Sequence, residues 1–320
     1  MNVIGTGSYL PTGILSNDDL QGLVETSDEW ITSRTGIRNR HLTTGENTST
    51  LATRAAHAAL KKARIEACDI ELIVVATSTP DTFIPGVSHQ VLKNLGIECA
   101  MAFDLNAACT GFVYALDVVE SLMRSRDFKY GLVIGAEVLS KMVDWGDRNT
   151  CVLFGDGAGA VVVKQQDSGR TFLYAKCTAI PDVQDALTSG GLVINNPLHK
   201  GEADRFYIQM EGQEVFKFAV SSVCESVAEA LDETGIEASA VDYYVLHQAN
   251  SRILSYVAKR LEIPIAKCYS TISQTGNTSA ASIPIVIDEM NEKGLLKKGM
   301  KIVLSGFGAG LTYGTIILEW

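Results

Sequence analysis

The sequence predicts an α/β protein made of two similar halves, residues 1–165 and 166–320. The first observation behind this is alternation. Short β-branched runs are ELIVVATS (71–78), GLVIGAE (131–137), DYYVLHQ (242–248) and MKIVLSG (300–306). Between them lie segments with apolar residues at helical spacing, such as TLATRAAHAALKKAR (50–64), GFVYALDVVESLMRSR (111–126) and EVFKFAVSSVCESVAEALDETG (214–235);. The second observation is internal similarity. VLFGDGAGAVVV (152–163) resembles VLSGFGAGLTYG (303–314), and CDIELIVVATSTPD (68–81) parallels SAVDYYVLHQANSR (239–252). Cys109 follows Ile70 by 39 positions, Asn277 follows Val241 by 36, and each opens a helix-like segment. That spacing sets Cys109 and Asn277 opposite each other across a pseudo-two-fold axis, both facing one pocket.

Bulk properties remove several function classes. The chain has 320 residues, 46% hydrophobic and 20% charged, enough for a large core;. A formal charge of −10 argues against nucleic acid as the main partner, though it allows a local basic patch;. No run of eighteen apolar residues exists, so no membrane span is expected;. The start, MNVIGTGSYLP, lacks the basic and apolar regions of a signal peptide;. Seven cysteines (68, 99, 109, 151, 177, 224, 268) form no C-x-x-C pair, and their odd count favours reduced thiols in the cytoplasm;.

Among these cysteines Cys109 stands apart. Free cysteine is ordinarily a small buried hydrophobe. Here the apolar positions that follow, 112, 116, 119 and 122–123, mark one face of a helix that opens at the thiol;. Unpaired N–H groups and the macrodipole at a helix start favour thiolate over thiol. His247, in HQAN (247–250), stands at the carboxyl end of an apolar strand, where ligands bind in open α/β sheets;. Asn277, in QTGNTSAAS, is either a plain helix cap or a third polar group in the same pocket;. The order Cys, His, Asn also occurs in papain-like proteases, but their local cysteine signature is absent. The G-x-G-A-G turns lack dinucleotide-site spacing and read as tight packing.

Six blocks, TSDEWITSRTGIR (26–38), DLNAACTGF (104–112), DWGDRNTCVLFGDGAGAV (144–161), HQANSRI (247–253), GNTSAAS (276–282) and GFGAGLTYG (306–314), together resemble β-ketoacyl-acyl carrier protein synthase III. The resemblance runs the length of the chain. It implies the thiolase fold, in which duplicated α/β/α halves form a five-layered αβαβα core. It implies an enzyme that condenses an acyl-coenzyme A primer with malonyl-acyl carrier protein, with decarboxylation, and so starts fatty acid synthesis.

The resemblance also assigns roles. Cys109 would be acylated, and His247 and Asn277 would stabilise the enolate left by decarboxylation. The N–H groups of Cys109 and Ala309 would hold the acyl oxygen, and Phe307 would crowd the malonyl carboxylate. Trp30 and Arg148 would sandwich the adenine of coenzyme A, and Arg34 would meet its phosphates. Thr26 and Asn250 match further contacts, and Gln213 stands where the family has asparagine. Ile84, Leu139 and Phe154 would border the acyl pocket, Ile84 reaching in from the partner of a homodimer. Because isoleucine replaces a larger phenylalanine there, primers longer or more branched than acetyl are expected. Arg252, Lys259 and Arg260 would dock the acidic carrier protein. No permanently bound cofactor, metal, nucleic acid or membrane is implied; acyl-coenzyme A is a substrate. A non-catalytic paralogue that only binds acyl chains, or a polyketide starter enzyme, would share much of this pattern.

Overall fold

Every residue of the strand Leu72–Ala76 is buried, so its two faces both need cover;. The computed structural model describes residues 1–166, 171–201 and 206–320. In it, the first sheet is formed by β1 (Asn2–Tyr9), β2 (Leu72–Ala76), β3 (Met101–Leu105), β4 (Tyr130–Glu137) and β5 (Gly157–Lys164), in the order β1-β5-β4-β2-β3. The second sheet is formed by β6 (Phe172–Ala179), β7 (Tyr243–Leu246), β8 (Lys301–Gly308) and β9 (Thr312–Glu319), in the order β7-β8-β9-β6. In the first sheet β5 is antiparallel to both neighbours, and β4, β2 and β3 run parallel. In the second, β9 is antiparallel to both neighbours, and β7 and β8 run parallel. Read from the matching edge, β6-β9-β8-β7 repeats β1-β5-β4-β2.

The principal helices are α1 (Asp28–Thr35), α2 (Thr48–Ala63), α3 (Val87–Leu95), α4 (Gly111–Arg126), α5 (Gly212–Thr234), α6 (Ser251–Arg260) and α7 (Ser282–Glu292). Alternation along β2 sorts its side chains between two layers. Leu72, Val74 and Ala76 join Phe112, Leu116 and Val119 of α4, Ile283 and Val286 of α7, and Ile302 and Leu304 of β8. Ile73 and Val75 instead meet Leu51, Ala52 and Ala55 of α2 and Val87 and Val91 of α3. On the far side, Val303, Ile317 and Tyr244 pack on Ala219 and Val223 of α5 and Val257 of α6. The layers therefore run helix, sheet, helix, sheet, helix, as expected. Among the described residues no helix is long and apolar enough to cross a membrane.

Two details of the expected repeat are corrected. The glycine runs are not counterparts: Gly155–Gly159 opens β5, whereas Gly306–Gly310 closes β8. Residues 151–153 form a turn, and Phe154 makes only an isolated bridge to Asn277. The register of the functional turns also differs. Each inner helix follows a three-residue 3-10 turn, Ala108–Thr110 before α4 and Ser279–Ala281 before α7. Ala108 and Ser279 have φ of 46° and 48°. Asn106 Oδ1 accepts from Ala108 N at 3.1 Å, and Asn277 Oδ1 accepts from Ser279 N at 2.9 Å. The counterpart of Asn277 is therefore Asn106, and that of Cys109 is Ala280. Ala280 follows Val241 by the same 39 positions.

Among the described residues, strand β3 has no counterpart in the second sheet. Where one would lie, the buried Gln248 side chain makes the contacts that backbone would otherwise make. Its Oε1 accepts from Ser270 Oγ at 2.6 Å and Thr271 N at 3.3 Å, and its Nε2 donates to Leu246 O at 2.7 Å.

Candidate active site

The inner helices start where the two sheets come closest, and glycine is what permits the approach. A Cβ on Gly308 would lie 2.7 Å from Cys109 N, and one on Gly135 would lie 2.2 Å from Ala280 O. Each half therefore braces the other's turn with the bare backbone of a strand end. Beside this junction opens a cavity of about 800 Å³, within the range of small-molecule sites;. Cys109, His247 and Asn277 all line it, together with Phe307 and Ala309. None of the other six cysteines does.

Cys109 sits in the turn that leads into α4, partly accessible from the cavity. The expected drift toward thiolate is not what the site produces. Burial pushes the thiol up to about 12, outweighing the hydrogen bond from the Ser279 hydroxyl, and the nearby Glu137 carboxylate raises it further;.

His247 extends from the end of β7 and is 1% exposed. Burial alone lowers its pKa to about 3, so the ring is neutral;. Its Nδ1 lies 2.7 Å from Ser282 Oγ, the first residue of α7, and Ser282 Oγ also accepts from Gln248 N at 3.3 Å. The tautomer with the ring proton on Nε2 is the one in which the serine donates to Nδ1;. Nε2 is buried without a partner among the described residues. The Phe307 ring meets the imidazole edge-on, with centroids 5.1 Å apart.

Asn277 is fixed from both sides by the segment at Leu153–Gly155. Its N donates to Leu153 O at 2.8 Å, and its O accepts from Gly155 N at 3.0 Å. Its Oδ1 is taken by Ser279 N, so the amide nitrogen is the end left for a ligand. Asn277 therefore closes a turn onto Ser279 instead of capping a helix, and its side chain lines the cavity.

Trp30, Arg34, Gln213, Asn250, Leu139 and Phe154 also line the cavity. Ser27 caps α1 by accepting from Trp30 N, and Gly36 ends it at φ 77°;. The guanidinium carbons of Arg34 and Arg148 lie 4.5 and 4.7 Å from the Trp30 ring centroid. Arg148 therefore rests on the indole, and it donates to Glu25 O at 3.0 Å. Asn250 caps α6 through Oδ1, accepting from Arg252 N at 2.8 Å. Thr26 stands apart from the cavity wall, its hydroxyl buried and unpartnered among the described residues. Ile84 is 90% exposed and outside the cavity of its own chain. Arg252 lies at the cavity mouth, 6.0 Å from the Phe216 ring, and Lys259 and Arg260 are exposed at the far end of α6.

Sequence reasoning missed three polar residues. Glu137 ends β4, is fully buried, and has its pKa raised by burial to about 7 despite the hydrogen bonds that oppose the rise. Ser279 and Ser282 link it and His247 to the α7 turn. Both serines stand in the GNTSAAS block, but nothing in a lone sequence says which hydroxyl meets which partner.

The residues matched by the model of 3-oxoacyl-[acyl-carrier-protein] synthase III are 103–180, and its C-terminal model matches 231–320. A β-ketoacyl-[acyl-carrier-protein] synthase III of Clostridium botulinum (strain Okra / Type B1) is 47% identical, over 100% of this chain and 98% of the relative. The crystal structure of 3-oxoacyl-[acyl-carrier-protein] synthase III from Aquifex aeolicus VF5 superposes with a TM-score of 0.93 at 42% identity, covering 99% of each chain. The priming β-ketosynthase of the R1128 polyketide pathway reaches 0.92 at 32% identity, over 99% of this chain and 95% of that one. With such likeness along its whole length, and with a thiol, an imidazole and a carboxamide facing one cavity, the chain belongs to the β-ketoacyl-[acyl-carrier-protein] synthase III family of thiolase-fold condensing enzymes.

Proposed function

We propose that this condensing enzyme joins an acyl-coenzyme A primer to malonyl-acyl carrier protein through an acyl-Cys109 intermediate. The product is a β-ketoacyl-acyl carrier protein that initiates fatty acid synthesis. The observation that carries the proposal is the convergence of Cys109, from the half 1–165, with His247 and Asn277, from the half 166–320, on one cavity wall.

In the first half-reaction the Cys109 sulfur attacks the thioester, with the acyl oxygen on the N–H groups of Cys109 and Ala309. In the second, the His247 Nε2 proton and the Asn277 amide donate to the malonyl thioester oxygen. They stabilise the enolate as carbon dioxide leaves, and the enolate carbon then attacks acyl-Cys109. A neutral imidazole suits this role, because it donates a hydrogen bond while surrendering no proton. The Phe307 ring keeps the malonyl carboxylate poorly solvated, which favours its loss.

Coenzyme A enters past Trp30, Arg34, Gln213 and Asn250, with Thr26 near its path. Its adenine takes a place between Trp30 and Arg148 by lifting the arginine off the indole. Arg252, Lys259 and Arg260 present positive charge to the carrier protein on a chain of net charge −10;. The enzyme works as a cytoplasmic homodimer without a resident cofactor. The exposed Ile84 reaches the acyl pocket of the second copy, near Leu139 and Phe154, and its modest size admits branched primers.

Weighing the protein after incubation with acetyl-coenzyme A tests the core of this reading. An acyl-sized gain in mass that vanishes in Cys109→Ala supports it, and no gain with any primer refutes it. Turnover of isobutyryl-coenzyme A against acetyl-coenzyme A tests the pocket, and strict rejection of the branched primer refutes that part.

A further inference from the structure

Behind the part of the cavity wall that carries Asn277 lies a buried arginine with no carboxylate partner among the described residues. Arg40 is 0% exposed. It stands on the short strand Asn39–Leu42, which pairs antiparallel with Gly13–Ser16. Cationic side chains are rarely buried unless an acid balances them, because they give up strong hydration. The charge of Asp19 reaches the guanidinium, but its carboxylate accepts from Ser16 N and Oγ at 2.8 and 2.6 Å. The Arg40 Nε is buried without a partner among the described residues. A charge held so incompletely weakens a fold, and such groups persist where they serve a site.

The fork of Arg40 joins neutral acceptors on two segments. Its Nη1 donates to Leu15 O at 2.9 Å, and its Nη2 donates to Asn17 Oδ1 at 2.7 Å and Val152 O at 3.1 Å. Asn17 is held in turn, its Nδ2 donating to Ile37 O and Asp28 Oδ1, each at 2.8 Å. Asp28 opens α1, so this end of the fork is anchored to the helix that carries Trp30 and Arg34.

The other end meets the segment that holds Asn277. Val152 directly precedes the stretch whose Leu153 O and Gly155 N clamp the Asn277 backbone. The stem of Arg40 packs there as well. A Cβ on Gly155 would lie 3.3 Å from Arg40 Cβ, and one on Gly276 would lie 3.2 Å from it. The arginine stem therefore touches both strands of the clamp. Moving Val152 moves the carboxamide.

We propose that Arg40 is a positioning residue for Asn277: by gripping Val152 O and Asn17 Oδ1 at once, it sets where the carboxamide stands in the cavity. This rests on the reading above, in which Asn277 donates to the malonyl thioester oxygen. Such donors act through preorganisation, so a small displacement is felt at the transition state. The Cys109 turn rests on Asn106 and Gly308 instead, so acylation does not depend on this grip. Lysine cannot replace the fork, because one ammonium nitrogen does not span acceptors that two guanidinium nitrogens reach.

Timing the two half-reactions separately on the full-length enzyme tests the assignment. Cys109 is loaded from saturating acetyl-coenzyme A and followed by mass, and excess malonyl-acyl carrier protein then unloads it. Arg40→Lys is expected to load within about 2-fold of the wild-type rate but to unload about 10-fold more slowly, less than the loss of a whole oxyanion donor. Arg40→Met removes the buried charge along with the fork, a change that dry sites often tolerate, and is expected to show the same split. It serves if the lysine variant misfolds. In an Asn277→Ala background either substitution should slow unloading by less than about 2-fold more, because the group it positions is gone.

Loading and unloading slowed alike would mark an arginine that only supports the fold, and would overturn the proposal. Unloading at the wild-type rate in both variants, or losses that multiply in the double variant, would do the same. If the wild type takes up no acyl group, or Asn277→Ala unloads as fast as the wild type, the reading beneath fails instead.

Discussion

The turn Asn106–Gly111 and the turn Asn277–Ser282 share one backbone and divide the chemistry between them. In each, an asparagine side chain caps the peptide two residues on, a residue at positive φ follows, and a 3-10 turn feeds an inner helix. Only the asparagine is shared; the other five matched places differ, Ala107 against Thr278, Ala108 against Ser279, Cys109 against Ala280, Thr110 against Ala281 and Gly111 against Ser282. The first turn presents a thiol and little else polar. The second gives up the thiol and carries three hydroxyls, of which that of Ser279 meets Glu137 and that of Ser282 meets His247. One copy of a repeated turn became the reactive one, and the other its electrostatic support.

The comparison breaks most sharply at Ser282. In Ser282→Ala the His247 Nδ1 loses its hydroxyl partner and the ring loses the contact that orients it. Decarboxylation of malonyl-acyl carrier protein should fall by about 100-fold, the scale of a lost oxyanion donor. The acyl mass gain on Cys109 should persist. Loss of both activities together would show that the serine supports the whole turn instead.

Next come the two bracing glycines. Gly308→Ala and Gly135→Ala each push a methyl into backbone of the opposite turn, so each should cost about 1–3 kcal/mol in a denaturant melt;. If only one does, the halves are not braced equally.

A smaller effect concerns pH. Glu137 has a folded pKa near 7 against an ordinary 4.5, so between those values the native state holds a proton the unfolded chain has lost;. Its contribution to stability is therefore present at low pH and lost as pH rises to about 7. His247 works in the opposite sense. With a folded pKa near 3 against 6.5, it withdraws stability as pH falls below 6.5;. The melting temperature of Glu137→Gln should accordingly gain on the wild type between pH 5 and pH 8. A constant difference would contradict the burial of an ionisable proton there.

The smallest expected change is at the symmetry mate of the nucleophile. Ala280→Cys places a thiol in the second turn, but residue 280 is 1% exposed and lies outside the cavity wall. Acetyl-coenzyme A should still leave one acyl group per chain.

Much of this arrangement was legible in the sequence. Alternating strands and helices gave the α/β class, and Cys109, His247 and Asn277 were found from their settings at a helix start and a strand exit. The register of the repeat is hidden in the sequence because the marked polar residues are not each other's mates. The symmetry mate of a cysteine here is an alanine, which marks nothing. Likewise the two G-x-G-A-G runs look alike, but one begins a strand and the other ends one, a difference set by hydrogen-bond register. The helix-start argument for a thiolate meets an opposing physical effect. Periodicity reports where a helix begins, but not how dry its first turn is, and burial pushes the Cys109 thiol up. Glu137 in GLVIGAE was invisible as a functional group. Only the coordinates show that a carboxylate at a strand end meets a hydroxyl 142 positions away.

The mutual bracing at Gly135 and Gly308 carries a consequence for how the protein comes to life. A fragment ending after residue 165 would contain the reactive sulfur but not the strand end that presses on its amide, nor the imidazole and carboxamide beside it. Chemical competence therefore arrives late, once both halves have docked. A count of acylated thiols is then a reporter of fully assembled molecules.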